Sequence, residues 1–155
     1  MDALARICPA EDILLQIELR DRPQLFEYAA RHLQRRYGLS AGHIAQRLAE
    51  RERLGSTSPG QGFAIPHARL PGLSVPLGLF IRPNHPIAFD APDGEPAGEI
   101  LILLVPEHAH RDHLRLLADA VRLLCDRTFR SALRAAATAE EIRLLLLDGP
   151  GRGAA

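Results

Sequence analysis

The chain has 155 residues, 46% of them hydrophobic, and its 19 basic and 19 acidic side chains cancel to a formal net charge of zero. That length and apolar content suit one domain with a real core and exclude a disordered chain, while the neutral balance leaves no basic footprint for nucleic acid and no acidic tail. Every basic residue is an arginine, which rules out Schiff-base chemistry on lysine and the lysine of a phosphate-binding loop.

In chain order, Ile13, Leu15, Ile17 and Leu19 alternate with Leu14, Gln16 and Glu18, the period of two that predicts a strand with a mostly polar outer face. Asp21 is placed to cap a helix whose apolar face is Leu25, Phe26, Ala29, Ala30, Leu33 and Tyr37, with Gly38 as its stop. Ser40 opens a second helix with Ile44, Ala45 and Leu48 on its apolar face, and Gly55 ends it. In the loop from Ser56 to Gly62, the serine and Thr57 are read as loop-shaping residues. Its glycines are too few and wrongly placed for a nucleotide loop, and instead shape the approach to the next segment.

Phe63, Ala64 and Ile65 read as a buried strand. Pro66 has no N–H for a sheet ladder, so pairing is expected to stop there and to deliver His67 at the strand end. A turn at Pro71 and Gly72 leads to a strand around Leu77 to Ile81, and a turn-rich segment through Asp93 and Gly94 leads to a buried strand from Glu99 to Val105. These short connections predict antiparallel pairs. Leu114, Leu117, Val121, Leu124 and Cys125 mark a long amphipathic helix, and Thr128 and Thr138 are expected to cap two more, Thr138 with Glu141 as a capping box. Residues 149–155, rich in glycine and alanine, are expected to fray, leaving a domain over 1–148. There is no internal repeat. The predicted fold is α/β: one domain with a mixed, partly antiparallel sheet flanked by helices on both faces.

His67 carries the chemistry. A neutral imidazole attacks phosphorus without first losing a proton, and the phosphoimidazole that results passes its phosphoryl group on readily. Five ordered stretches carry a resemblance: Arg51 to Thr57, Gly62 to His67, Pro86 to Ala91, Leu103 to Pro106, and the pair His113-Leu114. Together they resemble the enzyme IIA proteins of the bacterial phosphoenolpyruvate phosphotransferase system, in the mannitol/fructose family and its nitrogen-related branch, over nearly the whole chain.

The resemblance implies that His67 is the phosphoryl acceptor, through its Nε2 atom. It implies that His113 stabilises the phosphoryl group as the family's second histidine, and that Arg51 does so as the arginine of the family's Arg-Glu pair. The implied donor is an HPr-like phosphocarrier. The implied outcome is regulation of target proteins by phosphorylation state, with donation to a sugar-specific IIB partner as the alternative. No metal or nucleotide cofactor is expected, because the donor's phosphoimidazole already stores the energy. The family usually has glycine after the acceptor, and Ala68 stands there, so its methyl is expected to crowd a docking partner.

The run from His108 to His113 also spells the His-x-His-x-Asp-His signature of metallo-beta-lactamase-like zinc hydrolases. No histidine follows His113 to complete such a site, so the run is read as a loop and helix start. His32, His43 and His85 lack any motif and are read as structural or exposed. Cys8 and Cys125 form no CxxC pair and are expected to be buried free thiols. No basic-then-apolar signal opens the chain, and the runs Ile100 to Val105 and Leu144 to Leu147 are far too short to span a membrane. A cytoplasmic protein without membrane insertion is expected.

Overall fold

The computed structural model describes residues 2–108 and 110–149. Its elements are α1 (Asp2–Ile7), a 3-10 turn (Ala10–Asp12), β1 (Ile13–Ile17), α2 (Arg22–Tyr37), α3 (Ala41–Arg53), β2 (Phe63–Ala64), β3 (His67–Leu70), β4 (Leu77–Pro83), β5 (Glu99–Pro106), α4 (Arg111–Cys125), α5 (Arg127–Ala135) and α6 (Ala139–Asp148). The sheet runs β1-β4-β5-β2, with β3 also on β5. Only β4 and β5 are antiparallel; β1 pairs parallel with β4, and β2 and β3 pair parallel with β5. The predicted mixed sheet with helices on both faces is what the chain forms.

β5 explains the two layers. Ile100, Ile102 and Leu104 join one core with Leu25, Leu33, Ile44 and Leu48 of α2 and α3, while Leu101 and Leu103 join a second core with Leu116, Leu123, Phe129, Ile142 and Leu4. A strand buried on both faces reads as an unbroken apolar run, since alternation marks only a half-exposed one.

The pairing expected at Pro66 is corrected. β3 keeps the register of β2 along β5, Phe63 opposite Glu99 and His67 opposite Leu103. The carbonyl of Pro66 still accepts the Leu103 N–H at 2.9 Å. Proline lacks only a donor, and on an edge strand one missing donor costs little. His67 therefore opens a strand. The turn at Pro71 and Gly72 does not yield an antiparallel hairpin either, because β3 and β4 both pair with β5 and sit on its opposite sides.

Other differences are local. β1 ends at Ile17, where a bulge holds Gln16 at φ 57°. Asp126, not Thr128, caps α5 by accepting the Phe129 N–H at 3.0 Å. Cys8 is buried as expected, but Cys125 is exposed on the outer face at the end of α4. The caps at Asp21, Ser40 and Thr138 form, and Gly38 closes α2 in the left-handed region at φ 71°. α1 was not foreseen; it packs over the sheet with Ile7 against Gly78. Of the tail expected to fray, residues 150–155 lie outside the described residues.

Candidate functional site

The edge strand β3, the C-terminal end of α3 and the N-terminal turn of α4 enclose an open cleft of about 550 Å³. Its lining includes Arg51, His67, Arg69, His113, Leu114 and Leu117. All three residues singled out from the sequence thus face one cavity. A larger cavity of about 730 Å³ between α2 and α3 contains neither histidine. Chemistry, not size, makes the smaller cleft the candidate site.

His67 is half-buried. Its Nδ1 lies 2.8 Å from the carbonyl oxygen of Ile65, and its Nε2 lies 3.2 Å from the Nε–H of Arg51. A carbonyl can only accept and a guanidinium N–H can only donate. The proton therefore sits on Nδ1, and Nε2 presents its lone pair. Burial lowers the pKa of His67 below the ordinary histidine value and the Arg51 charge adds to this, while the Ile65 bond and Glu52 oppose it. The ring is neutral at pH 7. Arg51 also donates from Nη1 to the carbonyl of Gly55 at 3.0 Å, which holds its guanidinium over the end of its own helix.

His113 stands in the first turn of α4. Its Nδ1 accepts the backbone N–H of His110 at 3.3 Å, and its own N–H donates to the His110 carbonyl at 3.1 Å. With Nδ1 accepting, a neutral His113 carries its proton on Nε2, free to donate into the cleft. His110 is thus the N-cap of α4, with Arg111, Asp112 and His113 in its first turn. The His110 and His113 rings stand 5.2 Å apart and tilted by 48°, and among the described residues no three His, Cys, Asp or Glu side chains gather as metal ligands.

The loop before β2 is held by Ser56 and Thr57 together with Glu52 and Asp93, whose part in it the sequence reading passed over. Glu52, buried beside Arg51, accepts the Thr57 N–H at 2.8 Å and the Thr57 hydroxyl at 2.7 Å. The Ser56 hydroxyl donates to the carbonyl of the buried Phe89, and Asp93 accepts the Gln61 N–H at 2.8 Å. Gly60 sits at φ 97°, and a Cβ there would lie 2.8 Å from Asp93 Oδ2. Ser56, Thr57 and the glycines therefore shape the loop, as expected, and the Pro86 to Ala91 stretch is its buttress. No helix among the described residues is long and apolar enough to cross a membrane.

The model of the family described as phosphoenolpyruvate-dependent sugar phosphotransferase system, EIIA 2, matches residues 6–149. The chain belongs to this family. The EIIA chain is 37% identical over 144 residues to a nitrogen regulatory protein of Bradyrhizobium diazoefficiens, covering 93% of this chain and 94% of that one. The crystal structure of nitrogen regulatory protein IIA-Ntr from Neisseria meningitidis superposes with a TM-score of 0.87 at 41% identity, over 93% of this chain and 99% of that one. IIA mannitol from Escherichia coli shares the fold, with a TM-score of 0.71 at 18% identity over 89% and 97% of the two chains.

Two features of the candidate site escaped the sequence. Arg69 shares the cleft face of β3 with His67, and exposed apolar residues border the histidine: Leu54, 85% exposed, and Leu114 in the cleft, with Val121 in an adjoining pocket that His67 also lines. Alternation along His67-Ala68-Arg69 was the available signal for the first; the second had none, because isolated exposed apolar residues are ordinary. Ala68 packs into the core shared with α2 and α3 and also borders the cleft beside His67.

Proposed function

We propose that this EIIA chain is a cytoplasmic phosphohistidine carrier, in which His67 takes a phosphoryl group from an HPr-like carrier protein and its phosphorylation state regulates target proteins. The observation that carries the reading is the fixed tautomer of His67, with Nδ1–H on the Ile65 carbonyl and a lone pair on Nε2. A donor phosphohistidine approaches Nε2 in line. The Nε2 electron pair forms the new N–P bond while the donor's N–P bond breaks and returns its pair to the donor nitrogen. The donor ring, protonated on its other nitrogen, departs as neutral imidazole. No proton has to leave His67, and the Ile65 carbonyl meets the positive charge that grows on its ring.

In the transition state charge spreads over the equatorial phosphoryl oxygens. Arg51 turns from the Nε2 lone pair to those oxygens, and the Nε2–H of His113 joins it. Bonds with a charged partner are about twice as strong as neutral ones, so these two groups favour the transferring phosphoryl over the empty site. Similarity to nitrogen regulatory proteins along nearly the whole chain supports the regulatory role; onward transfer to a purified sugar-specific IIB component would make transport the role instead.

The test is intact-mass analysis after incubation with phosphorylated HPr-type carrier. The wild-type chain should gain one phosphoryl group, lost in acid and kept in alkali. His67→Ala should gain none while staying folded. A single-phosphate adduct on the variant would place the acceptor elsewhere and sink the proposal.

A further inference from the structure

We propose that Arg69 is a positioning residue that sets His113 against His67 by holding the Glu107 carbonyl, just past β5 and ahead of α4; the inference rests on the acceptor reading of His67. Arg69 lies two residues beyond His67 on β3, so both side chains leave the same face of the strand, while Ala68 and Leu70 enter the core on the other side. Its Nη1 donates to the carbonyl of Glu107 at 3.2 Å. The Glu107 carboxylate in turn faces Arg47 of α3 at 3.9 Å. The turn is thus tied by its backbone to the strand that carries the nucleophile and by its side chain to the helix that carries Arg51.

From that turn the chain enters α4, which carries His113. The His113 ring is fixed by the His110 N–H, and its backbone by the His110 carbonyl, so the direction of its Nε2–H is the direction of the first turn of α4. Holding the Glu107 carbonyl from β3 puts the two histidines at the ends of one short path: His67 to Arg69 along the strand, across one hydrogen bond to Glu107, and along the chain to His113. A displacement of the order of 1 Å at a positioned group is enough to cost catalysis heavily.

Arg69 is exposed, which suits a residue that merely meets the partner equally well, and donor size separates the two roles. Phosphoramidate is a phosphoryl donor with no protein surface: its P–N bond breaks as the Nε2–P bond forms, and the nitrogen leaves with the electron pair as ammonia. Initial labelling rates are measured with phosphoramidate and with phosphorylated HPr-type carrier for wild type, Arg69→Ala, Arg69→Lys, His113→Ala and the double variant Arg69→Ala/His113→Ala.

Arg69→Ala should slow both donors by about three- to tenfold, the scale of one modest hydrogen bond expressed in a rate. With the carrier the loss should fall in kcat and not in KM. Arg69→Lys, which can still donate to the carbonyl, should recover most of it. The double variant should be no slower than His113→Ala alone. A loss seen only with the carrier and only in KM would make Arg69 a docking residue. Losses that multiply in the double variant, or no loss at all, would overturn the proposal as well.

Failure of the acceptor reading has its own signature, an unlabelled wild type or a labelled His67→Ala. The geometric claim is then read without any transfer, from the ring-proton NMR shifts of His113 in the unphosphorylated protein. They should move in Arg69→Ala and return in Arg69→Lys; shifts that stay put in both would overturn it.

Discussion

Burial lowers the pKa of His67 and the guanidinium of Arg51 adds to that effect, so the site waits with its nucleophile unprotonated and an arginine resting on the lone pair. On the proposed reading Arg51 covers that lone pair before the reaction and meets the phosphoryl oxygens during it. The same proposal gives His113 the simpler task of a preorganised donor. His113→Ala should leave the fold intact and slow phosphoryl transfer by about 10²- to 10³-fold, as removal of one such donor does elsewhere. Single-turnover labelling at subsaturating carrier measures this, and an unchanged rate would take His113 out of the site. His67, His113 and Arg51 stood out through the ordered motifs that carry the family resemblance, and the structure brings all three to one cleft. Glu52 did not stand out. It stands in the charged run from Glu50 to Arg53, which reads as a solvated face, yet its carboxylate is buried and ties down Thr57.

Between α3 and β2 the chain makes a loop without regular structure whose shape depends on borrowed partners: Glu52 from the helix, Phe89 and Asp93 from the segment before β5. Glu52→Ala would leave the Thr57 N–H and hydroxyl without their acceptor and should cost about 1–3 kcal/mol, read from urea unfolding. Transfer from the carrier should slow along with it, and Glu52→Gln, which keeps one acceptor oxygen, should lose less. An Ala variant as stable as wild type would show that water replaces the carboxylate. At this scale the elements themselves were readable, since caps such as Asp21, Ser40 and Thr138 are local signals. Pairing was not. Whether β3 joins β4 or β5 depends on which neighbour a distant strand offers, and a short turn does not encode that choice. The strand around Pro66 misled for the same reason, because the low cost of a missing donor appears only once the strand is known to lie at an edge.

Across the whole molecule, a few buried ionic groups join the layers. Arg82 pairs with Glu99 at 2.7 Å and donates to the carbonyls of Leu133 and Ala136, fastening α5 to the sheet. Asp12, fully buried before β1, accepts from His32 at 2.7 Å, from Arg36 at 2.9 Å and from the Tyr37 hydroxyl, fastening α2. Burial alone would raise the pKa of Asp12, but its hydrogen bonds to Arg36, Tyr37 and His32 outweigh that and lower it. A lowered carboxylate pKa stabilises the fold above the unfolded value, about 3.9, and that contribution is lost as pH falls through the folded one. Asp12→Asn should therefore cost about 3–5 kcal/mol at pH 7, with the gap to wild type closing as the pH falls below the unfolded value. Thermal melts across pH measure it, and a gap that is constant with pH would assign the loss to packing. The shared register of β2 and β3 along β5 makes the accessibility of the nucleophile a matter of parity. Side chains alternate between the two faces of a sheet, so His67 faces the cleft because an even count separates it from Phe63 and Ile65, which face the same side. Loss or gain of a single residue at the proline break, with β3 still seated on β5, would exchange the places of His67 and Ala68. The site would be turned inside out with no chemical group altered, and only a second change of one residue would restore it.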